Sequence, residues 1–196
     1  METSPPIHYT QAQSRADLQQ ILALQARNLR KNVSPEEAVR EGFLSVEHDL
    51  DTLEEMAIPH PHILAKSGDR LAGYALVMLR RLESKIPMLQ PMFENINRLD
   101  YRGHSLRAAN YCVMGQICID QAFRGQGIFR GLYQTFQRQL APHFEYLLTE
   151  VATRNTRSMR AHAQVGFQMI HQYTTPEEEW AIILWDWRNP NESRPD

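Results

Sequence analysis

The stretch DQAFRGQGIFRGLYQTFQRQL, residues 120–140, joins a glycine-rich turn directly to an amphipathic helix. Apolar residues recur at helical spacing after the turn and predict one buried face: Ile128, Phe129, Leu132, Tyr133, Phe136 and Leu140. Because the turn holds two glycines and opens a helix, its backbone N–H groups and the helix dipole favour a bound anion such as a pyrophosphate. A tight turn without a ligand is the alternative that the glycines alone leave open.

Two common phosphate-binding patterns do not match this turn. The dinucleotide fingerprint G-x-G-x-x-G requires its third glycine where the chain has Arg130, and the next glycine is Gly131. The pattern G-x-x-x-x-G-K-[ST] of P-loop nucleotide hydrolases occurs nowhere in the sequence. A phosphate-bearing ligand of this turn would therefore belong to another class of protein.

The elements around the turn predict a mixed α/β sheet. Their order is strand, helix, helix, strand, strand, then a long segment at 80–110, then strand, helix, strand, helix and two strands. A predicted hairpin at 62–79 requires antiparallel strands, whereas the strand–helix–strand unit at 111–151 implies a parallel pair. We expect about seven strands flanked by helices in one domain over residues 1–187, with a flexible tail at 188–196.

Two helices are predicted before the hairpin. The first covers residues 14–30. The second begins at a capping box formed by three residues: Ser34, Pro35 and Glu37. Its apolar stripe continues to Leu53, and Gly42 kinks the helix or divides it in two. The segment 80–110 is predicted to be irregular apart from a short helix, and a loop this long is typical of a lid or binding segment.

Composition and charge argue against several functions. A net charge of −2 and a pI of about 6.4 disfavour a general nucleic-acid-binding protein. No apolar run approaches the ~20 residues that a membrane span needs, and residues 1–13 lack the pattern of a signal peptide, so we expect a cytoplasmic protein without membrane contact.

Cys112 and Cys118 lie roughly 20 Å apart in one strand, which excludes a disulfide between them, and no cysteine cluster suggests a metal site.

Residues 111–171 resemble the GNAT (GCN5-related N-acetyltransferase) family. The motif RGQGI opens a helix after a buried strand, a second buried strand LLTEV follows, Asn155 lies four residues beyond Val151, and the next helix ends in AQVGF. The resemblance implies a splayed mixed sheet that holds acetyl-CoA between the strands at 113–119 and 146–151. It also implies direct transfer of the acetyl group to an amine.

The resemblance further implies which residues bind acetyl-CoA. Backbone N–H groups of the turn would hold the pyrophosphate: Arg124, Gly125, Gln126, Gly127, Ile128 and Phe129. The strand backbone at Ile117, Cys118 and Ile119 would pair with the pantetheine arm, Asn155 would hydrogen-bond that arm, and Ser158 would lie beside the cofactor. The chain departs from the family at three of its positions, where Phe129 replaces a small residue, Ser158 an alanine and His162 a tyrosine.

Glu150 and His162 are the candidate catalytic residues. Glu150 ends a strand row that otherwise holds Phe144, Tyr146 and Leu148, and a carboxyl group in such a row has a raised pKa, as a general base near neutral pH requires. A solvated or ion-paired Glu150 is the structural alternative. His162 stands where the family's tyrosine protonates the leaving sulfur. If His162 has the ordinary histidine pKa of ~6.5, its cation can protonate the CoA thiolate. Two other roles are open: the ring orients the sulfur, or it is a packing residue without a catalytic role.

The acceptor is bounded by two oppositely charged segments. Residues 36–55 carry eight acidic side chains against one arginine, and residues 80–110 carry six basic side chains against three acidic ones. The first suits a cationic amine and the second suits a phosphate or carboxylate, but both are equally consistent with solvated faces. We expect an acetyl-CoA-dependent N-acetyltransferase for a small-molecule or amino-acid-like primary amine, without metal, as a monomer or homodimer. A protein or peptide N-acetyltransferase and a non-catalytic acyl-CoA-binding module are the alternatives.

Overall fold

A computed structural model describes residues 5–34, 36 and 42–188. These ranges contain five α-helices: Arg15–Asn28 (α1), Leu50–Met56 (α2), Gln90–Ile96 (α3), Ile128–Leu140 (α4) and Thr156–Val165 (α5). They also contain nine strands: Ile7–Gln11 (β1), Ile63–Ser67 (β2), Arg70–Leu79 (β3), Asp100–Tyr101 (β4), His104–Ser105 (β5), Tyr111–Ile119 (β6), Tyr146–Ala152 (β7), Gln168–Thr174 (β8) and Glu179–Asp186 (β9). None of the helices in these ranges has the length and apolar character that a membrane span requires.

Seven strands form one mixed sheet in the order β1-β2-β3-β6-β7-β9-β8, and β4 and β5 form a separate hairpin. The pairs β1–β2 and β2–β3 are antiparallel, β6–β7 is parallel, and β9 is antiparallel to both β7 and β8. The predicted mixed sheet of about seven strands, flanked by helices, is therefore confirmed. By its contacts the chain divides into two compact units, one of residues Met1–Val77 and Gly115–Gln139 and the other of Met78–Met114 and Leu140–Asp196.

The first unit contains α1, whose start follows from its sequence. The Ser14 hydroxyl accepts a hydrogen bond from the backbone N–H of Asp17 at 3.2 Å, and the Asp17 carboxylate accepts one from the backbone N–H of Ser14 at 3.1 Å. This reciprocal pair satisfies donors that a helix start otherwise leaves without intrahelical partners. The buried face of α1 carries Ile21 and Leu24, which are almost completely excluded from solvent. The helix predicted at 14–30 is therefore confirmed within two residues at each end.

The predicted second helix is wrong over part of its length. Leu50–Met56 is helical, but residues 43–49 are not. The Gln25 side chain donates to the backbone carbonyl of His48 at 2.9 Å and accepts from its backbone N–H at 3.1 Å. These tertiary bonds satisfy backbone groups that a helix would otherwise pair, so the segment does not need helical hydrogen bonds there. The capping box predicted at 34–37 lies largely outside the described residues.

The second unit contains the segment 80–110, which is more ordered than predicted. It forms the short helix α3, as expected, and the hairpin of β4 and β5, which the sequence pattern did not indicate. Helix α3 buries Met92, Phe93 and Ile96. The segment is therefore a packed part of the second unit, with a core face of its own.

Pairing between β6 and β7 is short. It extends from Tyr111 opposite Tyr146 to Val113 opposite Leu148, although β6 has nine residues and β7 has seven. Immediately beyond the last pair, the Thr149 hydroxyl donates to the backbone carbonyl of Met114 at 3.0 Å. The parallel ladder ends there, as the predicted splay between these two strands requires.

Candidate active site

The glycine turn leads from β6 into α4. A single 3-10 turn, Gln121–Phe123, comes first, and the Asp120 carboxylate caps it by accepting from the backbone N–H of Ala122 at 3.0 Å. Gly125 and Gly127 then have φ angles of 77° and 75°, a left-handed backbone that favours glycine. A Cβ atom at either glycine would meet no heavy atom within 4 Å. The space beside both glycines is therefore open to a ligand.

Arginines surround the base of this turn. The Asp120 carboxylate forms ion pairs with Arg27 and Arg70, each at 3.1 Å. The guanidinium of Arg124 donates to the side-chain oxygen of Asn28 at 2.9 Å. The side chain of Arg124 thus ties the turn to α1.

The start of α4 offers the N–H groups of its first turn. The first rung of the helical ladder is the bond from the N–H of Gly131 to the carbonyl of Gly127, at 3.1 Å, and N–H groups before it have no intrahelical acceptor. Phe129, which replaces a small residue of the family, is half-buried with its ring edge-on to Tyr133 at 5.0 Å. Gly131 itself is required by packing, because a Cβ there would lie 2.0 Å from the Tyr9 hydroxyl oxygen.

The predicted cofactor strand is the end of β6. Ile117 and Ile119 are half-buried, and Cys118 between them is buried. Burial raises the pKa of the Cys118 thiol to about 12. A thiol with that pKa has almost no thiolate at neutral pH, so Cys118 is not suited to act as a nucleophile.

Gln116, on the same strand, is a structural residue. Its side-chain oxygen accepts from the Tyr74 hydroxyl at 2.6 Å, and its side-chain nitrogen donates to the backbone carbonyl of Val46 at 2.7 Å. The amide is buried and bonded at both ends, which accounts for its place on an otherwise apolar strand.

Helix α5 connects three of the predicted site residues. The Asn155 side-chain oxygen accepts from the backbone N–H of Ser158 at 3.0 Å and so caps the helix. The backbone carbonyl of Ser158 in turn lies 2.8 Å from Nδ1 of His162. The His162 ring is buried, edge-on to Phe167 with centroids 5.2 Å apart, and burial lowers its pKa to about 4. The pKa of ~6.5 assumed from the sequence does not apply to this buried ring.

Glu150 lies on β7 in a half-buried position. Burial raises the pKa of Glu150 to about 7. The hydroxyl of Tyr173 donates a hydrogen bond to Oε2, and this bond lowers the pKa. Among the described residues Glu150 forms no ion pair, and its side chain is largely buried, so neither alternative describes it in this part of the chain. The raised pKa predicted from the strand pattern is confirmed.

Tyr173 is the neighbour of Glu150 that sequence reasoning missed. It lies on β8, and the two residues meet across β9, where Trp180 is opposite Tyr173 and Ile182 is opposite Glu150. Twenty-three positions separate the two residues in the chain. No spacing or motif in the sequence signals this contact, because it depends on the order of three strands.

No group of three or more histidine, cysteine, aspartate or glutamate side chains in the described part of the chain is placed to hold a metal ion. The mixed sheet, with helices around it and a short parallel ladder between β6 and β7, is that of an α/β protein. The sequence model of the Acetyltransferase (GNAT) family matches residues 21–167. The chain therefore belongs to the GNAT family, whose members are acetyl-CoA-dependent acetyltransferases.

Solved structures share this fold. The ribosomal-protein-S18-alanine N-acetyltransferase from Escherichia coli is similar with a TM-score of 0.61 and 12% identity, over 92% of this chain and 94% of that one. The putative acetyltransferase yncA from Salmonella typhimurium, solved with acetyl-CoA, is similar with a TM-score of 0.60 and 14% identity, over 97% and 98%. The NatC complex bound to Gag peptide and CoA is similar with a TM-score of 0.59 and 14% identity, over 92% and 98%. No curated protein matches the chain significantly.

Proposed function

We propose that this protein transfers an acetyl group from acetyl-CoA to the primary amine of a small-molecule, amino-acid-like acceptor, with Glu150 as the general base. The carboxyl group of Glu150 carries this proposal. It is half-buried, forms no ion pair with any residue that the structure describes, and has a pKa that burial raises to about 7. A base is most effective when its pKa lies near the working pH, because it is then both substantially ionised and basic enough to take a proton.

The glycine turn and α5 are proposed to hold acetyl-CoA, which supplies the acetyl thioester. The open space beside Gly125 and Gly127 and the N–H groups of the first turn of α4 suit a pyrophosphate. The side-chain oxygen of Asn155 already caps α5, so its nitrogen is the atom proposed to donate to the pantetheine arm. The role of the backbone at 117–119 follows from the family resemblance.

The reaction makes three demands on the protein. The acceptor amine must lose a proton, the tetrahedral oxyanion must be stabilised, and the thiolate must leave. Glu150 is proposed to meet the first demand by taking the proton onto its carboxylate. His162 is proposed to orient the sulfur, since its buried ring is neutral at physiological pH.

The test is release of CoA thiol with a panel of acceptors. The panel contains free amino acids, Nα-acetylated lysine, an aliphatic diamine and a short peptide with a free N-terminus. We expect turnover with free amino acids, and a loss of about 10²–10³-fold in kcat for Glu150→Gln at pH 7.5. Glu177→Gln, at an exposed position, is the matched control. Binding of acetyl-CoA without turnover of any amine would instead support the non-catalytic alternative, and turnover of the peptide alone would support a peptide N-acetyltransferase.

A further inference from the structure

The side chain of Tyr173 contacts the proposed base directly. Its hydroxyl donates a hydrogen bond to Oε2 of Glu150. We propose that Tyr173 is a positioning residue that fixes the Glu150 carboxylate for proton transfer and stabilises its ionised form. The inference rests on the role proposed for Glu150, and it adds a residue that neither the sequence motif nor the family resemblance assigns.

The strand residue opposite Glu150 is uncharged, and His171 lies one strand further along the same row, opposite the same residue of β9. On β9 the residue opposite Glu150 is Ile182, and on β6 the ladder reaches only Val113, opposite Leu148. Tyr173, on β8, is the titratable group in contact with the carboxylate. Among the residues that the structure describes, no lysine, arginine, histidine or second carboxylate forms an ion pair with Glu150. The Tyr173 hydroxyl is therefore the one side-chain donor in this part of the chain that favours the ionised carboxylate.

Helix α3 contacts His171, whose ring lies beside that of Tyr173. The side-chain nitrogen of Asn95 donates to the carbonyl of Pro91 at 2.8 Å, which points its oxygen at Nε2 of His171, 3.2 Å away. The imidazole lies nearly parallel to the Tyr173 ring, at an interplanar angle of 14° and a centroid distance of 6.5 Å. The segment 80–110 thus reaches the base through two intermediate side chains, all within the second unit.

The geometry also assigns different roles to the two carboxylate oxygens. Oε2 accepts from Tyr173, and Oε1 forms no hydrogen bond with the described residues. Oε1 is therefore the atom that takes the acceptor proton. The products of that step are a neutral carboxylic acid, still bonded to Tyr173 through Oε2, and an uncharged amine with its lone pair available to attack the thioester. The proton then returns to solvent, so the charge of the protein is restored after each turnover.

The experiment titrates the side chain of Glu150 directly. Protein labelled with carbon-13 at the glutamate δ-carbon is titrated from pH 5 to 9, and the Glu150 signal is assigned by its loss in Glu150→Gln. We expect a midpoint near pH 7 in the wild type. In Tyr173→Phe, which keeps the ring and loses only the hydroxyl, we expect a midpoint about one pH unit higher.

Tyr101→Phe is the matched control. The Tyr101 hydroxyl donates to Gln168 on β8 at 3.4 Å, and the side-chain hydrogen bond that the described residues give Glu150 is to Tyr173 instead. Its midpoint should equal that of the wild type. An unchanged or lower midpoint in Tyr173→Phe overturns the inference, and so does an equal rise in Tyr101→Phe, which would indicate a general effect on β8. Near-ultraviolet circular dichroism verifies that each variant is folded.

Kinetics separate this inference from the proposed function. The acid limb of kcat/KM against pH should move upward in Tyr173→Phe by the same amount as the Glu150 midpoint, with activity recovering at high pH. If no amine is acetylated, the proposed function fails, and the carbon-13 titration still decides the role of Tyr173. If acetylation occurs and both profiles are unchanged in Tyr173→Phe, the positioning role is wrong and the function stands.

Discussion

The backbone carbonyl oxygen of Ser158 accepts a hydrogen bond from Nδ1–H of His162 at 2.8 Å. Because a carbonyl oxygen can only accept, the neutral ring carries its proton on Nδ1, and Nε2 is the acceptor nitrogen. Burial lowers the pKa of this ring to about 4. At pH 7 about one ring in a thousand is therefore cationic. In the neutral rings Nδ1–H is bonded to the Ser158 carbonyl, and Nε2 carries no proton to give to a departing thiolate.

His162→Phe should consequently retain most of the activity. The phenyl ring preserves the packing against Phe167, and no proton donor is lost. We expect kcat to fall by less than about tenfold, whereas loss of a true general acid costs about 10²–10⁴-fold. The measurement is kcat at saturating acetyl-CoA and acceptor, with the melting temperature as a check on folding. A hundredfold decrease in a folded variant would restore His162 as the general acid.

Glu150→Gln should change the dependence of stability on pH in a definite direction. The folded pKa of about 7 lies above the ordinary value of 4.5, so the folded chain binds a proton that the unfolded chain releases between these pH values. The resulting stabilisation is full below pH 4.5 and is lost as the pH rises through 7. Between pH 5 and 8.5 the wild type should lose about 2 kcal/mol relative to the variant. Urea unfolding of both at each pH measures this difference, and parallel curves for the two proteins would refute it.

Gly127→Ala should weaken binding of acetyl-CoA. The substitution places a Cβ in the open space beside the turn and forces a non-glycine residue into a φ of 75°, at a cost of about 1 kcal/mol. Gly103→Ala is the matched control, because its φ is 79° and its Cβ would likewise meet nothing within 4 Å, but it lies in the hairpin of β4 and β5. By calorimetry we expect Kd for acetyl-CoA to rise at least about tenfold in Gly127→Ala alone. Equal Kd values in both variants would show that the turn does not contact the cofactor.

Sequence patterns predict the helices and strands whose apolar residues recur with one clear period. They do not predict the conformation of segments whose backbone is bonded by residues far away in the chain. The stripe from Ile128 to Leu140 has helical spacing and forms α4 as expected. Residues 43–49 continue a helical stripe equally well, yet they are not helical, and Gln25 and Gln116 bond to their backbone. Both glutamines are polar residues in apolar surroundings, which is a signal of a buried bond but does not identify its partner.

The candidate site shows the same division. The raised pKa of Glu150 follows from burial among the apolar residues that share its face of the strand, so its direction is predictable from local sequence. Its bond to Tyr173 depends on β9 lying between β7 and β8, and on a bulge between Met169 and His171 that sets which side chains of β8 share a face. The low pKa of His162 depends on how deeply α5 packs, which helical spacing does not reveal.

The histidine at position 62, which follows a proline and could suggest a metal ligand, is instead a buried connector. Its Nδ1 accepts from the backbone N–H of Val77 at 3.1 Å, and its Nε2–H donates to the carbonyl of Leu53 at 3.1 Å. Protonation would break the bond to Val77. Burial, reinforced by the nearby His48, lowers the pKa of His62 to about 4.

We therefore expect His62 to destabilise the fold in acid. The unfolded chain, with an ordinary histidine pKa of 6.5, binds the proton first, so stability is lost as the pH falls from 6.5 towards 4 and then levels off. The loss attributable to His62 should approach about 3 kcal/mol. His62→Gln should be less stable than the wild type at pH 7 but lose less on acidification, whereas His104→Gln, at an exposed position, should follow the wild type. Urea unfolding at pH 7 and pH 4.5 tests this, and an equal loss in all three proteins would mean that other groups cause the acid sensitivity.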